Sequence, residues 1–300
     1  MKYSVHEATR IGGRSSNQDR SGFAYTTDTA LLILADGMGG HMAGDMAAEI
    51  LVATVKDVFR KRVVRGHWHV PEFLIDALFT AHETVNAYAE RHALPEIPRT
   101  TAVVCVVKRG RAIWAHVGDS RLYHFSREKC LFHTRDHSVV QQLVDEGRID
   151  EDAVAAHPER NKLYNSIGGL VLPNIELSQA VALNEGDVLM LCSDGVWGEL
   201  SAHEMFVALR AYPLARAAAH MLDFAELRGG QNADNATLIA LRFGEERFEP
   251  GRLDMDTAGP LDGPATLLGH PLAENGDPGD LDALLAEIHA ALEKHRRDSG

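Results

Sequence analysis

The chain is poor in cysteine, lacks any long apolar run and has too few basic residues to balance its acids. Only three of its 300 residues are cysteine: Cys105, Cys130 and Cys192. The number is odd, there is no Cys-x-x-Cys spacing, and each stands among apolar neighbours. They read as small buried hydrophobes rather than a disulfide frame, a zinc site or a thiol nucleophile. Unpaired thiols fit a reducing, cytoplasmic setting. No purely apolar stretch exceeds the six residues of Ala30–Ala35, far below the roughly 20 that a membrane helix needs. The N-terminal Met1-Lys-Tyr-Ser-Val-His-Glu has no apolar segment of the signal-peptide kind, so neither a membrane-spanning nor a secreted chain is expected. Lys and Arg number 30 against 43 Asp and Glu, a formal charge of −13. Such a surface repels phosphate backbones, which makes nucleic acid an unexpected partner, and it tolerates divalent cations well.

What remains is an ordinary globular balance, 45% hydrophobic and 24% charged, enough to build a substantial core. The charge is uneven: residues 245–300 hold 13 acidic and 5 basic side chains, so this tail carries −8 of the total. Residues 245–280 contain 5 Pro and 6 Gly and read as a linker. Beyond it, Leu281, Leu284, Leu285, Ile288 and Leu292 share one helical stripe, with Asp280 as cap and Lys294, Arg296 and Arg297 at the C-terminal end. A helix over 281–297 is expected, docked on its own domain or offered to a partner. Residues 1–244 read as the folded domain.

Within 1–244, short runs rich in Val, Ile and aromatics predict strands at 3–8, 22–25, 31–35, 101–107, 112–117, 122–125, 131–133, 175–180, 188–192 and 237–243. Helical periodicity marks 44–63, 71–92, 138–146 and 202–228, the last broken by Pro213. Strands come in runs joined by tight turns such as Lys108-Arg-Gly-Arg111, the pattern of an α+β layered domain with antiparallel sheets.

Aspartates recur at strand edges. Asp36, Asp119 and Asp194 each follow an apolar run, and Asp19 and Asp234 each precede one. In antiparallel sheets the end of one strand and the start of its neighbour share a rim, so five carboxylates can converge. Like charges brought together are costly unless neutralised. Oxygen donors without thiolate or a histidine pair favour hard cations such as magnesium or manganese, and several carboxylates can hold a pair of ions that activates water and clamps a phosphoryl oxygen. Taken one at a time, these residues are better explained by Asx-type turns; all five together, in the wording that follows, are not.

The aspartates stand in the words Arg14-Ser-Ser-Asn-Gln-Asp19, Ala35-Asp-Gly-Met-Gly-Gly-His41, Val117-Gly-Asp-Ser-Arg121, Asp136-His-Ser138, Ser193-Asp-Gly195 and Asp234-Asn-Ala-Thr237. In this order they resemble the bacterial branch of the type 2C (PPM family) metal-dependent protein serine/threonine phosphatases, over about residues 10–243. The resemblance implies an αββα sandwich: two packed antiparallel sheets flanked by helices on both faces, with a manganese or magnesium pair at one edge. It implies that Asp36 bridges the two ions, that the Gly37 carbonyl binds one, and that Asp194 and Asp234 bind the other. Asp19 would act through waters on the metals, with Gln18 beside it a weaker assignment. Asp119 would join Asp194 at a third, weaker ion, and Arg14 would grip the substrate phosphate. The implied reaction is hydrolysis of phosphoserine and phosphothreonine by direct attack of a metal-bridging water or hydroxide, with no covalent enzyme intermediate.

The residue types suit that chemistry. A divalent ion lowers the pKa of water without a side-chain base, and guanidinium offers bidentate donors to phosphate. Met38 departs from relatives that carry histidine after Asp-Gly, which leaves the general acid unassigned; His41 is close in sequence but reads rather as structural or exposed, and metal-bound water could serve. His137 is read as structural, and the segment from about 136 to 175 resembles the family's flap. Two other readings stand beside the main one: a catalytically inactive binding module of this family, and a metal-dependent hydrolase of another phosphoester. A phosphoprotein substrate and an opposing bacterial serine/threonine kinase are the partners implied.

Overall fold

The computed structural model describes residues 2–38, 44–66, 68–154 and 157–244, with the side chains of Glu151 and Asp152 left aside. The expected linker and C-terminal helix, residues 245–300, lie outside the described residues, and so does His41. Strands β1 (Tyr3–Arg10), β2 (Asp19–Tyr25) and β3 (Thr29–Met38) come first, followed by helices α1 (Gly44–Arg65) and α2 (Val70–Arg91). Next come β4 (Arg99–Thr100), β5 (Ala102–Lys108), β6 (Arg111–Val117), β7 (Arg121–Phe125), β8 (Cys130–His133), α3 (Val139–Asp145) and α4 (Glu151–Val154). The remainder holds β9 (Glu176–Leu177), β10 (Val181–Ala182), β11 (Val188–Cys192), α5 (Asp194–Trp197), α6 (Ala202–Ala211), α7 (Leu214–Gly229) and β12 (Ala236–Phe243).

Every strand pairing is antiparallel. One sheet runs β1-β12-β11-β7-β8; the other runs β10-β6-β5-β3-β2, with β4 added to β3 and β9 to β6. Because successive side chains point to opposite faces of a strand, a strand buried on both faces must be apolar throughout. In β3, Leu31, Ile33 and Ala35 pack with α1 and α2, whereas Ala30, Leu32 and Leu34 meet the other sheet. In β11 the same alternation sends Met190 and Cys192 towards α6 and α7, and Leu189 and Leu191 into the space between sheets. Three apolar layers result, and they make the α+β sandwich with helices outside both sheets.

Helix ends follow local chemistry. Ser201 and Glu204 form a reciprocal capping box at the start of α6, and the Ser138 hydroxyl accepts the Gln141 N–H at 3.2 Å to open α3. Pro213 separates α6 from α7, as its missing N–H requires. Three expectations need correction. The strand predicted over 175–180 shrinks to Glu176–Leu177, both exposed, where an edge position leaves no second face to bury. Asp36 does not follow its strand but lies within it, because β3 continues to Met38 by pairing with β4. Cys130 is half-buried on the outer strand β8, whereas Cys105 and Cys192 are fully buried; all three are free.

Candidate active site

Asp19 opens β2 and stands directly opposite Asp36 in the β2–β3 ladder. Asp119 lies in the turn between β6 and β7, Asp194 is the first residue of α5 just past β11, and Asp234 precedes β12. Carboxyls separated by up to 215 positions thus reach one rim, because the two packed sheets end there together.

The backbone around them is fixed by bonds that leave the carboxyls free to face inward. Thr101 Oγ1 accepts the Asp36 N–H at 2.9 Å, and Asp36 O takes the Thr101 N–H at 2.8 Å and the Thr100 hydroxyl at 2.9 Å. Thr101 Oγ1 also lies 2.7 Å from Ser120 Oγ, tying the Asp36 strand to the Asp119 turn. Trp197 Nε1–H donates to Asp119 O at 2.9 Å, so α5 braces that turn from the Asp194 side. The Trp197 ring carries the Arg121 guanidinium at 3.7 Å, and Arg121 holds Asp136 through two bonds of 2.8 Å. Next to Asp36, Gly37 packs so closely on the start of α1 that a Cβ there would stand 2.1 Å from Gly44 O. No other residue type fits that approach.

The electrostatics are those of an overcrowded anionic site. Burial first, then the charges of Asp19, Asp194, Asp119 and Asp234, push Asp36 well above the ordinary carboxylate range. Asp119 is raised likewise by burial, then by Asp194 and Asp136. Burial raises Asp19 to about 7 against the pull of the Ser193 and Thr237 hydrogen bonds, and it raises Asp194 to about 6 with help from Asp234. Asp19 Oδ2 accepts the Ser193 hydroxyl at 2.7 Å, while its Oδ1 is buried with no protein partner. An orphaned oxygen, a cluster of mutually repelling carboxyls and an all-oxygen donor set fit hard divalent cations.

Arg14 stands at the open edge. Its Nη2 donates to Asp234 Oδ2 at 2.7 Å, and the side chain is 57% exposed, so the guanidinium lies beside the carboxylates with donors to spare. One side-chain amide makes three of the bonds that hold the loop carrying it, beside the Gly13 N–H to Ala233 O at 2.9 Å. Asn235 Nδ2 donates to Ile11 O at 2.8 Å and Ser16 O at 3.0 Å, and its Oδ1 accepts the Gln18 N–H at 2.8 Å. Gln18 is therefore anchored through its backbone, and its Nε2 lies near Gly44. Met38 ends β3 and carries no ionisable group.

Ser193, Asn235, Thr101 and Trp197 were not singled out from sequence. The first two had a signal, since each abuts a candidate aspartate within a recognised word. Thr101 and Trp197 act through contacts with residues far along the chain and had none.

The chain matches the family described as Protein phosphatase 2C over residues 8–226. It is 34% identical over 254 residues to a Streptococcus pyogenes protein named as of the phosphatase 2C type, covering 83% of this chain and 100% of that one. The Streptococcus agalactiae serine/threonine phosphatase structure aligns with a TM-score of 0.72 and 30% identity, covering 80% of this chain and 99% of that one. The catalytic domain of the serine/threonine protein phosphatase PstP, solved in complex with two manganese ions, aligns with a TM-score of 0.66 and 27% identity over 81% of this chain and 100% of that one.

Proposed function

The chain belongs to the protein phosphatase 2C family, and from that premise we propose that it is a metal-dependent protein serine/threonine phosphatase. The observation that carries this reading is the field at Asp36, where four other carboxyls from distant parts of the chain act on one buried carboxyl. Asp36, Gly37, Asp194 and Asp234 would hold two manganese or magnesium ions, Asp19 would reach them through water, and Asp119 with Asp194 would hold a third. Bound divalent ions supply charge neutralisation and make water acidic enough to serve as nucleophile at neutral pH.

The chain's own groups do the rest. Arg14 presents guanidinium donors to the substrate phosphate, and its bond to Asp234 sets their direction. Ser193 holds the Asp19 carboxyl at its Oδ2, which keeps Oδ1 turned to the site. Asn235 keeps the Arg14 loop closed on the β12 side. Water adds to phosphorus and loses a proton to solvent, the ester P–O bond breaks, and the serine or threonine oxygen leaves with a proton that Met38, which has no ionisable group, does not give. The substrate is a phosphorylated protein, and the enzyme would oppose a serine/threonine kinase in the cytoplasm, a setting consistent with three free cysteines. Among the described residues no helix is long and apolar enough to cross a membrane. Residues 1–244 would act as the catalytic unit, and the 281–297 segment would dock on it or recruit a partner; deleting 245–300 tests that role through stability, turnover and association.

The deciding experiment is hydrolysis of a phosphothreonine peptide with manganese titration, in competition with nucleotides. Activity that chelation abolishes and manganese restores, with preference for the peptide, is the expected result. Turnover that survives exhaustive chelation would defeat the proposal.

A further inference from the structure

Outside the carboxylate cluster, His116, His137 and Glu176 bring one ring nitrogen each and a carboxylate oxygen within 4.8 Å of one another. The spacing would suit an imidazole-bound ion, but the hydrogen bonds put protons where an ion would sit. His137 Nδ1 accepts the Gly118 N–H at 3.2 Å and faces Asn165 Nδ2 at 2.7 Å. That amide is not free to turn over, because Nδ2 also donates to Asn174 O at 2.7 Å and Oδ1 accepts the Asn174 N–H at 3.0 Å. With two donors on Nδ1, the proton of the neutral ring belongs on Nε2, which points at Glu176 Oε2 at 3.3 Å. His116 Nε2 is likewise a donor, to Arg135 O at 2.8 Å. His116 Nδ1 has no partner, but an ion shared by both rings also needs a free lone pair on His137, whose Nδ1 faces two donors and whose Nε2 carries the proton.

The arrangement grips Gly118 instead. Besides its ring bond, His137 donates its main-chain N–H to Gly118 O at 3.0 Å, so one residue holds both polar groups of the glycine. Gly118 sits at φ +100°, and a Cβ there would be 2.7 Å from Thr101 Cγ2, so the turn depends on an unusual backbone conformation. Asp119 follows immediately. The His137 ring is itself 4% exposed and stacks on His116 at a centroid distance of 4.6 Å, which leaves it little freedom.

We propose that His137 is a positioning residue whose ring and backbone lock Gly118 and so fix the Asp119 carboxyl against Asp194. Glu176 accepts the Nε2–H and steadies the ring, and Asn165 ties the 165–174 arm of the flap-like segment to Nδ1, so the placement of that arm is felt at Asp119. This inference rests on the reading of Asp119 as an ion ligand.

The test is manganese titration of the full-length protein, reading the concentration for half-maximal turnover and, by calorimetry, the ions bound per chain. Asp119→Asn is the reference. His137→Ala keeps the main-chain bond and removes the ring; it should raise the half-maximal manganese concentration about tenfold, the low end of the effect of losing a residue that orients a ligand. The double variant should be no worse than Asp119→Asn alone, as expected for residues acting as one unit. His137→Asn, whose Oδ1 can take the place of Nδ1 as acceptor for Gly118 N–H, should recover most of the wild-type dependence. Glu176→Ala, at a side chain 57% exposed, should shift it part of the way and carries the test if His137→Ala does not fold. Manganese dependence that Asp119→Asn weakens but His137→Ala or Glu176→Ala leaves unchanged, or additive losses in the double variant, would overturn the inference. An Asp119→Asn variant with wild-type dependence would remove the reading of Asp119 and this inference with it.

Discussion

Asp36 faces Asp19 across the ladder and feels three further carboxyls, so Asp36→Asn takes one negative charge from the centre of the cluster while keeping the side chain's shape. We expect Asp36→Asn and Asp194→Asn each to lower turnover of an aryl phosphate by about 1000-fold, of the order found when a group that stabilises transition-state charge is removed. Both should stay folded by circular dichroism; near-wild-type turnover in either would count against the assignment. Arg14 is exposed and meets Asp234 through Nη2, so its loss should leave stability alone. Arg14→Lys, which keeps the charge but not the planar fork, is expected to lower kcat/KM by about 10–100-fold, the equivalent of a charge-assisted hydrogen bond. A Lys variant indistinguishable from wild type would show that the fork does not bind phosphate. At this scale the sequence was informative wherever charge itself was the signal. The five aspartates were visible because an acid beside a run such as Leu31–Leu34 is out of place unless it has work to do. Ser193 was not, although it holds Asp19, because a serine before an aspartate is as common in caps and turns.

Elements were legible where burial imposed a period. The β3, β5 and β11 segments are apolar on both faces because each lies between a helix layer and the opposite sheet, and α1 and α2 show the helical repeat that covers the β3–β5 face. The pattern failed where an element buries nothing or is barely one period long: Glu176–Leu177 at an edge, and the four-residue α5, which the sequence shows only as a turn after Cys192. The loop before β2 has no periodicity either, and Asn235, more than 200 residues further along the chain, does much to fix its shape. Asn235→Ala would leave the Ile11 and Ser16 carbonyls and the Gln18 N–H without their partner. We expect a loss of about 1–3 kcal/mol in denaturant unfolding together with reduced turnover, since the Arg14 loop loses its anchor. Unchanged stability would mean that the loop is held by something other than this amide.

Across the whole molecule, the net charge of −13 and the acid cluster act in the same direction. In the metal-free protein Asp19 titrates at about 7 and Asp194 at about 6, both above the ordinary carboxylate value of 3.8. The folded state therefore binds protons more tightly than the unfolded chain. The stability these two groups contribute is fully present below about pH 4 and is lost as pH rises through 6 and 7. Divalent ions bind the deprotonated carboxylates and release those protons, so the gain in Tm from saturating manganese should grow from pH 5 to pH 8. A gain independent of pH would mean that the ions bind elsewhere.

The most direct measurement is anomalous scattering from crystals of the full chain soaked in manganese. Two peaks among Asp36, Gly37, Asp194 and Asp234, with further density bounded by Asp119 at high concentration, are what the account predicts. Manganese found away from these carboxyls, or none at saturating concentration, would contradict it.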